Sequence, residues 1–542
     1  MMTQRILGGA AIVVGLVGCA DTGEQAGGAD TDSLRYGGTV VVASLTEASS
    51  MNRFVSVDDI SQELQNHVLF TTLIRYDENL QPIPYLAERW DTASVDGQLR
   101  LTFFLRDDVL WHDGVPTTAY DVKFTFDRIK DPATGFPRAS ILASYDSAVV
   151  QDSLTVTFFL QRHPGFMDAW RAIAPMPQHL LGEVPPAELK RHPFGSESPT
   201  GNGPFRFVEH RAGDRWVFEA NSTFPAGLGG RPYIDRLVYR HIEEPTTRFA
   251  EFAAGDVDVY LIVAPSQVAE AEALPGARII SYANRNYAFI NWNERRPLFE
   301  DRRVRRALTL AINREEIVET VQRGLGQVAK GPVPPSHWAY DPNLEPLPFD
   351  PDSARRLLDA AGWIDRNGDG VREKDGRPAS FELRTNPNPT REDIMTLVQA
   401  DLKDVGVDVR PRVQESQSLG ADITSPERRF DAFVLGWQTE FNLDDRPLFA
   451  CSALEGPYQW AGYCNPRVDE ILSAVTEDFE RTRTLPLWYE YQRIIQQDQP
   501  YTFLYYDVRA NGVRERVRDV RMDIRGDLIN VKEWWIAGDE RR

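Results

Sequence analysis

One short segment has the oxygen spacing of a calcium-binding loop. Asp365, Asn367 and Asp369 would supply side-chain oxygens at loop positions 1, 3 and 5, and Gly370 stands at the turn position 6. Position 12 is Gly376, whereas a complete loop has a glutamate there that gives the ion two oxygens. The segment therefore predicts a hairpin turn, with weak calcium binding as the alternative.

The N-terminal residues have the layout of a secretory signal. Arg5 precedes an uncharged run of aliphatic and small residues at 6–18, which is too short to span a bilayer comfortably. The run ends in LVGC at residues 16–19, which resembles the lipobox of bacterial lipoproteins; an ordinary signal peptide with a chance cysteine is the alternative. The resemblance implies a signal peptide over residues 1–18 and lipidation of Cys19. The residues after Cys19 are rich in Gly, Ala, Asp and Thr and lack apolar periodicity, which predicts a disordered tether over residues 19–33.

The two other cysteines, Cys451 and Cys464, are close together in the sequence. In an exported chain an even pair at this spacing predicts one disulfide, which closes a short loop. A disulfide of this kind stabilises a fold by about 3 kcal/mol. A metal pair or two free thiols are the alternatives, but no neighbouring histidine or Cys-x-x-Cys spacing supports a metal.

Length and charge limit the classes of protein that the chain can represent. A chain of 542 residues is too long for one hydrophobic core and predicts two or more domains. The net charge of −20 argues against nucleic acid as a partner and against electrostatic docking on anionic lipid. No segment after the N-terminal run holds about 18 uninterrupted apolar residues, so the membrane is contacted through the N-terminal lipid alone.

Catalytic motifs are not found in the sequence. It has neither His-Glu-x-x-His nor Gly-x-Ser-x-Gly, and its eight histidines are scattered singly, so neither a metal nor another cofactor is expected. With 80 acidic residues, pairs of carboxylates at glycosidase-like separations carry no information. Binding without chemistry is therefore the favoured class of function, and a cleft hydrolase is kept as an alternative.

Apolar periodicity predicts alternating strands and helices, which is typical of mixed sheets flanked by helices. Strands are predicted at 38–43, 100–106, 154–160, 205–209, 216–219, 287–291, 381–385, 407–413, 430–435, 501–506 and 512–517. Helices are predicted at 61–73, 117–129, 246–254, 304–311, 314–323, 354–361, 392–404 and 489–497.

Six sequence blocks occur in the order typical of one known family. They are AERW at 87–90 with WHDG at 111–114, GNGPF at 201–205, AGDVD at 254–258, FEDRRVRRAL at 299–308, GW at 436–437 and GYCNP at 462–466. Together they cover about nine-tenths of the mature chain, and the set resembles the family 5 extracellular solute-binding proteins, the oligopeptide, dipeptide and nickel receptors of ABC importers. Each block is weak alone, whereas the ordered set is specific.

The resemblance implies an α/β fold, the type II periplasmic-binding-protein flytrap. Lobe I would comprise residues 34–73, 194–282 and 502–542, an inserted subdomain residues 74–193, and lobe II residues 283–501. A solute would bind between the lobes and favour their closure. The implied protein is a monomer on the periplasmic side of the cell envelope, and its partners are a peptide or other small solute and the permease subunits of an ABC importer. A sensor that shares the fold without a transporter is the further alternative.

The resemblance also suggests where a ligand would bind. In peptide receptors of this family an acidic residue just after the Gly-Trp block pairs with the ligand's ammonium, and Glu440 falls at that place; a solvated loop carboxylate is the alternative. Trp437 either stacks on the ligand or packs inside its lobe. Further candidates are Thr439, Phe441 and Asn442 beside Glu440, and Asp59 and Ile60 at a helix start in the first lobe, where a simple helix cap is the alternative.

Two departures from the oligopeptide receptor put the ligand in doubt. The strand at 432–435 has no arginine, and the segment at 415–417 has no tryptophan, although the receptor has these residue types at those places. An oligosaccharide, an opine or a nickel chelate is therefore an alternative to a di- or oligopeptide.

Overall fold

The structure is a computed structural model that describes residues 35–56, 58–95, 97–161, 165–478 and 480–542. The predicted signal peptide, the lipidation site Cys19 and the predicted tether lie outside the described residues. Among the described residues, no helix is both long and apolar enough to cross a membrane.

Strands and helices alternate along the chain, as the periodicity predicts. The strands are β1 (Thr39–Ser44), β2 (Ile74–Tyr76), β3 (Pro82–Pro84), β4 (Ala87–Val95), β5 (Gln98–Leu105), β6 (Tyr145–Asp152), β7 (Thr155–Leu160), β8 (Phe205–Arg211), β9 (Arg215–Ala220), β10 (Arg236–His241), β11 (Val259–Tyr260), β12 (Ala277–Trp292), β13 (Gly326–Val328), β14 (Glu373–Lys374), β15 (Arg377–Pro378), β16 (Ser380–Thr385), β17 (Asp408–Val413), β18 (Ala432–Gln438), β19 (Tyr501–Arg514), β20 (Val517–Arg518) and β21 (Trp535–Ile536).

The α-helices are α1 (Asp59–Leu64), α2 (Ala119–Lys130), α3 (Asp168–Ala172), α4 (Gln178–Leu181), α5 (Pro245–Ala254), α6 (Val268–Glu272), α7 (Arg302–Ala311), α8 (Arg314–Thr320), α9 (Pro351–Ala360), α10 (Pro389–Asp404), α11 (Ser416–Thr424), α12 (Arg446–Phe449), α13 (Pro466–Glu477) and α14 (Arg481–Asp498). A π-helical turn, Gln65–Leu69, continues α1.

One large mixed sheet runs through the molecule in the order β17-β16-β18-β12-β19-β11-β1-β10-β9-β8, with β13 paired to β19. A separate sheet has the antiparallel order β4-β5-β7-β6. Because every second residue of β5 is buried, this sheet packs one face inward, where Phe103 contacts Phe158 and Trp170.

The apolar side chains form separate cores, one on each half of the large sheet along its strand order. The first core includes Val40, Leu64, Phe103 and Trp534. The second core consists of two clusters on opposite faces of the sheet, because alternate residues of β12 enter different clusters. Two packed cores in one chain of this length are what its surface-to-volume ratio requires.

Strands β12 and β19 run from one core to the other. Residues 277–283 of β12 pair with 508–514 of β19 beside the first core and a small adjoining cluster, and residues 287–291 pair with 501–506 inside the second core. The pairing register shifts between Ala283 and Tyr287. An irregularity of this kind lets paired strands change direction, so this stretch is where the two cores are joined.

The prediction of two separate strands at 501–506 and 512–517 is wrong, because β19 is continuous from Tyr501 to Arg514. Gly512 lies inside it, and a Cβ atom added there would lie 2.8 Å from Cζ of Phe252. The glycine is therefore required for the close approach of α5 and does not signal a turn.

The block at 201–205 clamps the end of the π-helical turn, and this explains why the helix predicted at 61–73 ends at residue 69. The Gly203 amide donates to the Leu69 carbonyl at 2.8 Å, and the Asn202 side chain accepts from the Thr71 amide at 2.8 Å. A Cβ atom added to Gly201 would lie 2.0 Å from the Leu69 carbonyl oxygen. The motif is thus a packing device that fixes the end of this helix.

Candidate ligand-binding site

A cavity of about 690 Å³ lies between the first and second cores. Its wall combines the loop after β1 and helix α1, the β18–α12 loop, and the middle of β12 and of β19. The volume is within the range of about 300–1,000 Å³ that is typical of small-molecule sites. A solute in this position would contact both cores at once.

The start of α1 forms one wall. Asp58 caps the helix, because its carboxylate accepts from the Ser61 amide at 2.7 Å and from the Ser49 hydroxyl at 2.5 Å. The cap therefore belongs to Asp58, and this leaves Asp59 exposed at the cavity with Ile60 buried beside it. Both predicted residues of this segment line the cavity.

The β18–α12 loop forms the facing wall, and Thr439 holds it in place. The Thr439 amide and hydroxyl both donate to the Arg285 carbonyl at 3.0 Å, and the Arg285 guanidinium donates back to the Thr439 carbonyl. Thr439 is buried and does not line the cavity. It positions Glu440, whose exposed carboxylate lies at the cavity and whose charge counteracts the lowering of the pKa of Arg285 by burial.

Phe441 and Asn442 extend from the same loop into the first core. The Phe441 ring is 5.7 Å from that of Tyr76 and belongs to the first core's cluster. Asn442 donates to the Asp168 carboxylate at 3.1 Å, and the Tyr76 hydroxyl donates to the same oxygen at 2.5 Å. The β18–α12 loop is therefore in direct contact with the first core at the edge of the cavity.

Trp437 lies outside this cavity. Its ring packs 5.6 Å from Trp460 and 5.8 Å from Tyr458, and it lines a smaller space of about 340 Å³ near the β12–β19 crossing. Of the two predicted roles, stacking on the ligand and packing inside the lobe, this position fits packing.

A buried acidic group lines the cavity on the side of the first core. Burial and the neighbouring Asp527 raise the pKa of Glu63 to about 8. The Leu528 amide donates to Glu63 at 3.1 Å, while Asp527 pairs with Arg509 at 3.2 Å and accepts from the Tyr282 hydroxyl at 2.8 Å. One carboxyl of this group can thus donate a hydrogen bond at neutral pH.

Sequence reasoning missed the charged residues that lie far apart in the chain. Arg53, Arg171 and Arg285 all line the cavity, in company with Glu63 and Asp527. Only Arg53 has a feature that draws attention locally, because it is buried between Asn52 and Phe54. Arginine is rarely fully buried unless it is paired, so a buried arginine indicates a special role.

The remaining predicted sites lie away from the cavity. A disulfide joins Cys451 and Cys464. In the calcium-like segment, the Asp365 carboxylate accepts from the amides of Gly368 and Gly370 at 2.7 and 3.0 Å, and a bridge between Ile364 and Glu373 closes the turn. Among the described residues, no group of histidine, cysteine, aspartate or glutamate side chains is suited to hold a metal ion.

An α/β molecule with a polar cavity between two cores, joined by paired strands, has the architecture of a flytrap-type solute receptor. The family profile "Bacterial extracellular solute-binding proteins, family 5 Middle" matches residues 81–455. This match covers more than half of the chain, and the chain belongs to that family, as the ordered blocks predict. The type II flytrap fold is likewise confirmed by solved structures of the family.

The oligopeptide-binding protein AppA of Bacillus subtilis (strain 168) is 33% identical over 508 residues, which cover 93% of this chain and 92% of AppA. The structure of AppA in complex with a nonapeptide has a TM-score of 0.74 and covers 93% of this chain and 99% of that chain. NikZ from Campylobacter jejuni in complex with Ni(L-His) is 26% identical, with a TM-score of 0.72 and coverage of 92% and 99%.

Proposed function

We propose that this protein captures di- or oligopeptides between its two lobes and delivers them to an ABC importer. The observation that carries the proposal is the similarity to the oligopeptide-binding protein AppA over nine-tenths of both chains, with Glu440 exposed at a cavity between the cores. Glu440 binds the peptide's ammonium, because a cation enclosed away from water needs a charged partner. Asp59, Ile60, Phe441 and Asn442 complete the site, while Thr439 and Trp437 support it.

The proposal extends to the setting in which the receptor works. Lobe I comprises residues 34–73, 194–282 and 502–542, the subdomain residues 74–193, and lobe II residues 283–501. The chain acts as a monomer, is anchored at the periplasmic side of the envelope through lipid on Cys19, and presents its closed form to the permease. It carries out no chemistry on the solute.

A thermal-shift screen tests the proposal with di-, tri- and tetrapeptides, oligosaccharides, amines and nickel chelates. A ligand at about 100 times its dissociation constant stabilises the folded state by about 2.7 kcal/mol. We expect peptides to raise the melting temperature of the wild type and Glu440→Gln to reduce this shift strongly. A shift from peptides that is unchanged in Glu440→Gln would remove the role of Glu440.

The likeness to NikZ in complex with Ni(L-His) favours one second candidate, a metal chelate as the solute. The arginines at the cavity could bind the carboxylates of such a chelate. The same screen separates the two candidates, because a shift from nickel with histidine and none from peptides would replace peptide capture by chelate capture.

A further inference from the structure

The smaller space of about 340 Å³ that Trp437 lines is a pocket with two side chains of opposite charge in its wall. Arg391 comes from the first turn of α10, and Asp507 comes from β19. The volume lies at the lower end of the range that is typical of small-molecule sites. This space is called here the Arg391–Asp507 pocket.

The two charges in this pocket are close to each other but are not paired. The structure has no salt bridge between these two described residues, although each charge affects the pKa of the other. Burial raises the pKa of Asp507, and a hydrogen bond from Asn286 and the charge of Arg391 counteract this rise. Because a partly buried charge without a direct partner costs stability, the gap between the two groups indicates a place for a polar group from outside.

Both sides of the gap keep unused hydrogen-bonding capacity. Nη1 of Arg391 donates to the Asn386 side chain at 2.5 Å, and Nη2 lies 3.7 Å from the place where a Cβ of Gly436 would be. The glycine therefore leaves the guanidinium uncovered. Oδ1 of Asn286 is buried in the wall without a hydrogen-bond partner among the described residues. The pocket thus offers N–H donors from Arg391 and oxygen acceptors from Asp507 and Asn286.

Helix stability does not explain the position of Arg391. Asn388 is the N-cap of α10, so Arg391 is the third residue of a 16-residue helix. The N-terminus of a helix carries partial positive charge, and a cation in the first turn is therefore unfavourable. An arginine that destabilises its own helix and faces a pocket fits a role in binding.

The pocket adjoins the main cavity, because Gln438 lines both. Gln438 stands two residues before Glu440, and consecutive residues of an extended strand advance by about 3.3 Å. A peptide whose ammonium binds Glu440 therefore has its first residues within reach of the Arg391–Asp507 pocket.

A carboxamide is the side-chain group that matches these donors and acceptors. Its carbonyl oxygen would accept from Arg391, and its two N–H groups would donate to Asp507 and Asn286. A cationic side chain would be repelled by Arg391, and an anionic side chain would be repelled by Asp507. The pocket is therefore complementary to a neutral group that both donates and accepts.

We propose that the Arg391–Asp507 pocket binds a carboxamide side chain of the solute. The receptor then prefers peptides that carry glutamine or asparagine among their first residues. The inference rests on the proposed function and deepens it, because it names a class of peptide that the receptor selects.

Isothermal titration of the purified protein tests this pocket with trialanine and with variants of trialanine. In these variants glutamine, methionine, glutamate or lysine replaces one alanine, at each position in turn. We expect glutamine at one position to bind at least about 10-fold more tightly than methionine there, because methionine has a similar length and leaves the polar groups of the pocket unpaired. Glutamate and lysine at that position should bind no more tightly than methionine.

In Arg391→Gln and in Asp507→Asn the ratio of the glutamine and methionine affinities should fall to less than about 3, while the affinity for trialanine stays within about 3-fold of the wild type. Asp393→Asn is the matched control, since Asp393 is an exposed carboxylate of α10 outside the pocket lining. It should retain the full preference for glutamine. If Asp507→Asn does not fold, the wild-type panel and Arg391→Gln still decide the question.

Equal binding of glutamine and methionine at every position of a peptide that the wild type binds overturns the carboxamide pocket and leaves peptide capture standing. A preference for glutamate or lysine over glutamine also overturns it, as does a preference for glutamine that persists in both variants. If no peptide of the panel binds, peptide capture itself fails and the pocket falls with it.

Discussion

Glu63 shows how one residue of the cavity couples folding to pH. Burial beside Asp527 raises its pKa to about 8, whereas an exposed glutamate titrates near about 4.3. Between these values the folded state holds a proton that the unfolded state has released. The stability associated with this proton is complete below about pH 4.3 and is lost as the pH rises through about 8.

Glu63→Gln should therefore flatten the fall in the free energy of unfolding between about pH 5 and about pH 8, where the wild type loses at most about 1.4 kcal/mol per pH unit through this group. Denaturant titrations at the two pH values measure the difference. Glu270→Gln changes an exposed glutamate of α6 and is the control. Its free energy of unfolding should fall with pH as steeply as that of the wild type. An unchanged slope in Glu63→Gln would show that the proton is held by another carboxyl of this group, of which Asp527 is the nearest candidate.

At the same scale, the sequence predicted cavity residues beside a motif and at the start of α1, and it missed the charged residues that lie far apart in the chain. Glu440, Phe441 and Asn442 stand at a fixed distance from the Gly-Trp block, so their neighbourhood could be predicted. Arg53 and Arg171 are more than a hundred positions apart and meet only through tertiary folding. Nothing in the local periodicity of either segment indicates that they share a cavity.

Among the elements, the π-helical turn and its glycine clamp carry the clearest stability prediction. Gly201→Ala would place a methyl group 2.0 Å from the Leu69 carbonyl oxygen and 2.9 Å from the Leu69 carbonyl carbon, and these backbone atoms have little room to move. We expect a loss of about 1–3 kcal/mol in the free energy of unfolding. Denaturant titration of the variant measures this loss.

Gly420→Ala is the control for the added methyl group. Gly420 lies inside α11, and nothing lies within 4 Å of the position of its added Cβ. Alanine there should stabilise the helix by about 0.5–1 kcal/mol. A Gly201→Ala variant as stable as the wild type would mean that the Leu69 segment can shift and that the clamp does not fix the helix end.

Periodicity predicted most strands and helices of this chain, because their buried faces recur at two or 3.6 residues. It failed where one element serves two cores. Strands β12 and β19 change their packing partners between residues 283 and 287 and between 506 and 508, within continuous strands. The apolar pattern of β19 changes where the strand passes from one core to the other, and the sequence was therefore interpreted as two strands. The backbone is continuous there.

For the whole molecule, contacts outside the cavity also join the two cores. Arg481 at the start of α14 donates to the carbonyls of Asn79 and Leu80 across the gap between the two cores, and it lies outside the cavity lining. A ligand can favour the closed state only by its differential affinity for that state. Any contact made only on closure therefore contributes to the apparent affinity.

Arg481→Gln should weaken peptide binding by about 3- to 10-fold, mainly through faster dissociation, because the bound state opens more readily. Surface-based kinetics with the best peptide of the thermal screen measure both rate constants. Arg483→Gln is the control on the same helix, since the hydrogen bonds described for Arg483 go to Asp478 at 2.7 Å. If Arg481→Gln binds and releases peptide as the wild type does, this rim contact does not contribute to closure. The contacts of Asn442 with Asp168 and of Phe441 with Tyr76, at the cavity itself, would then be the ones to test next.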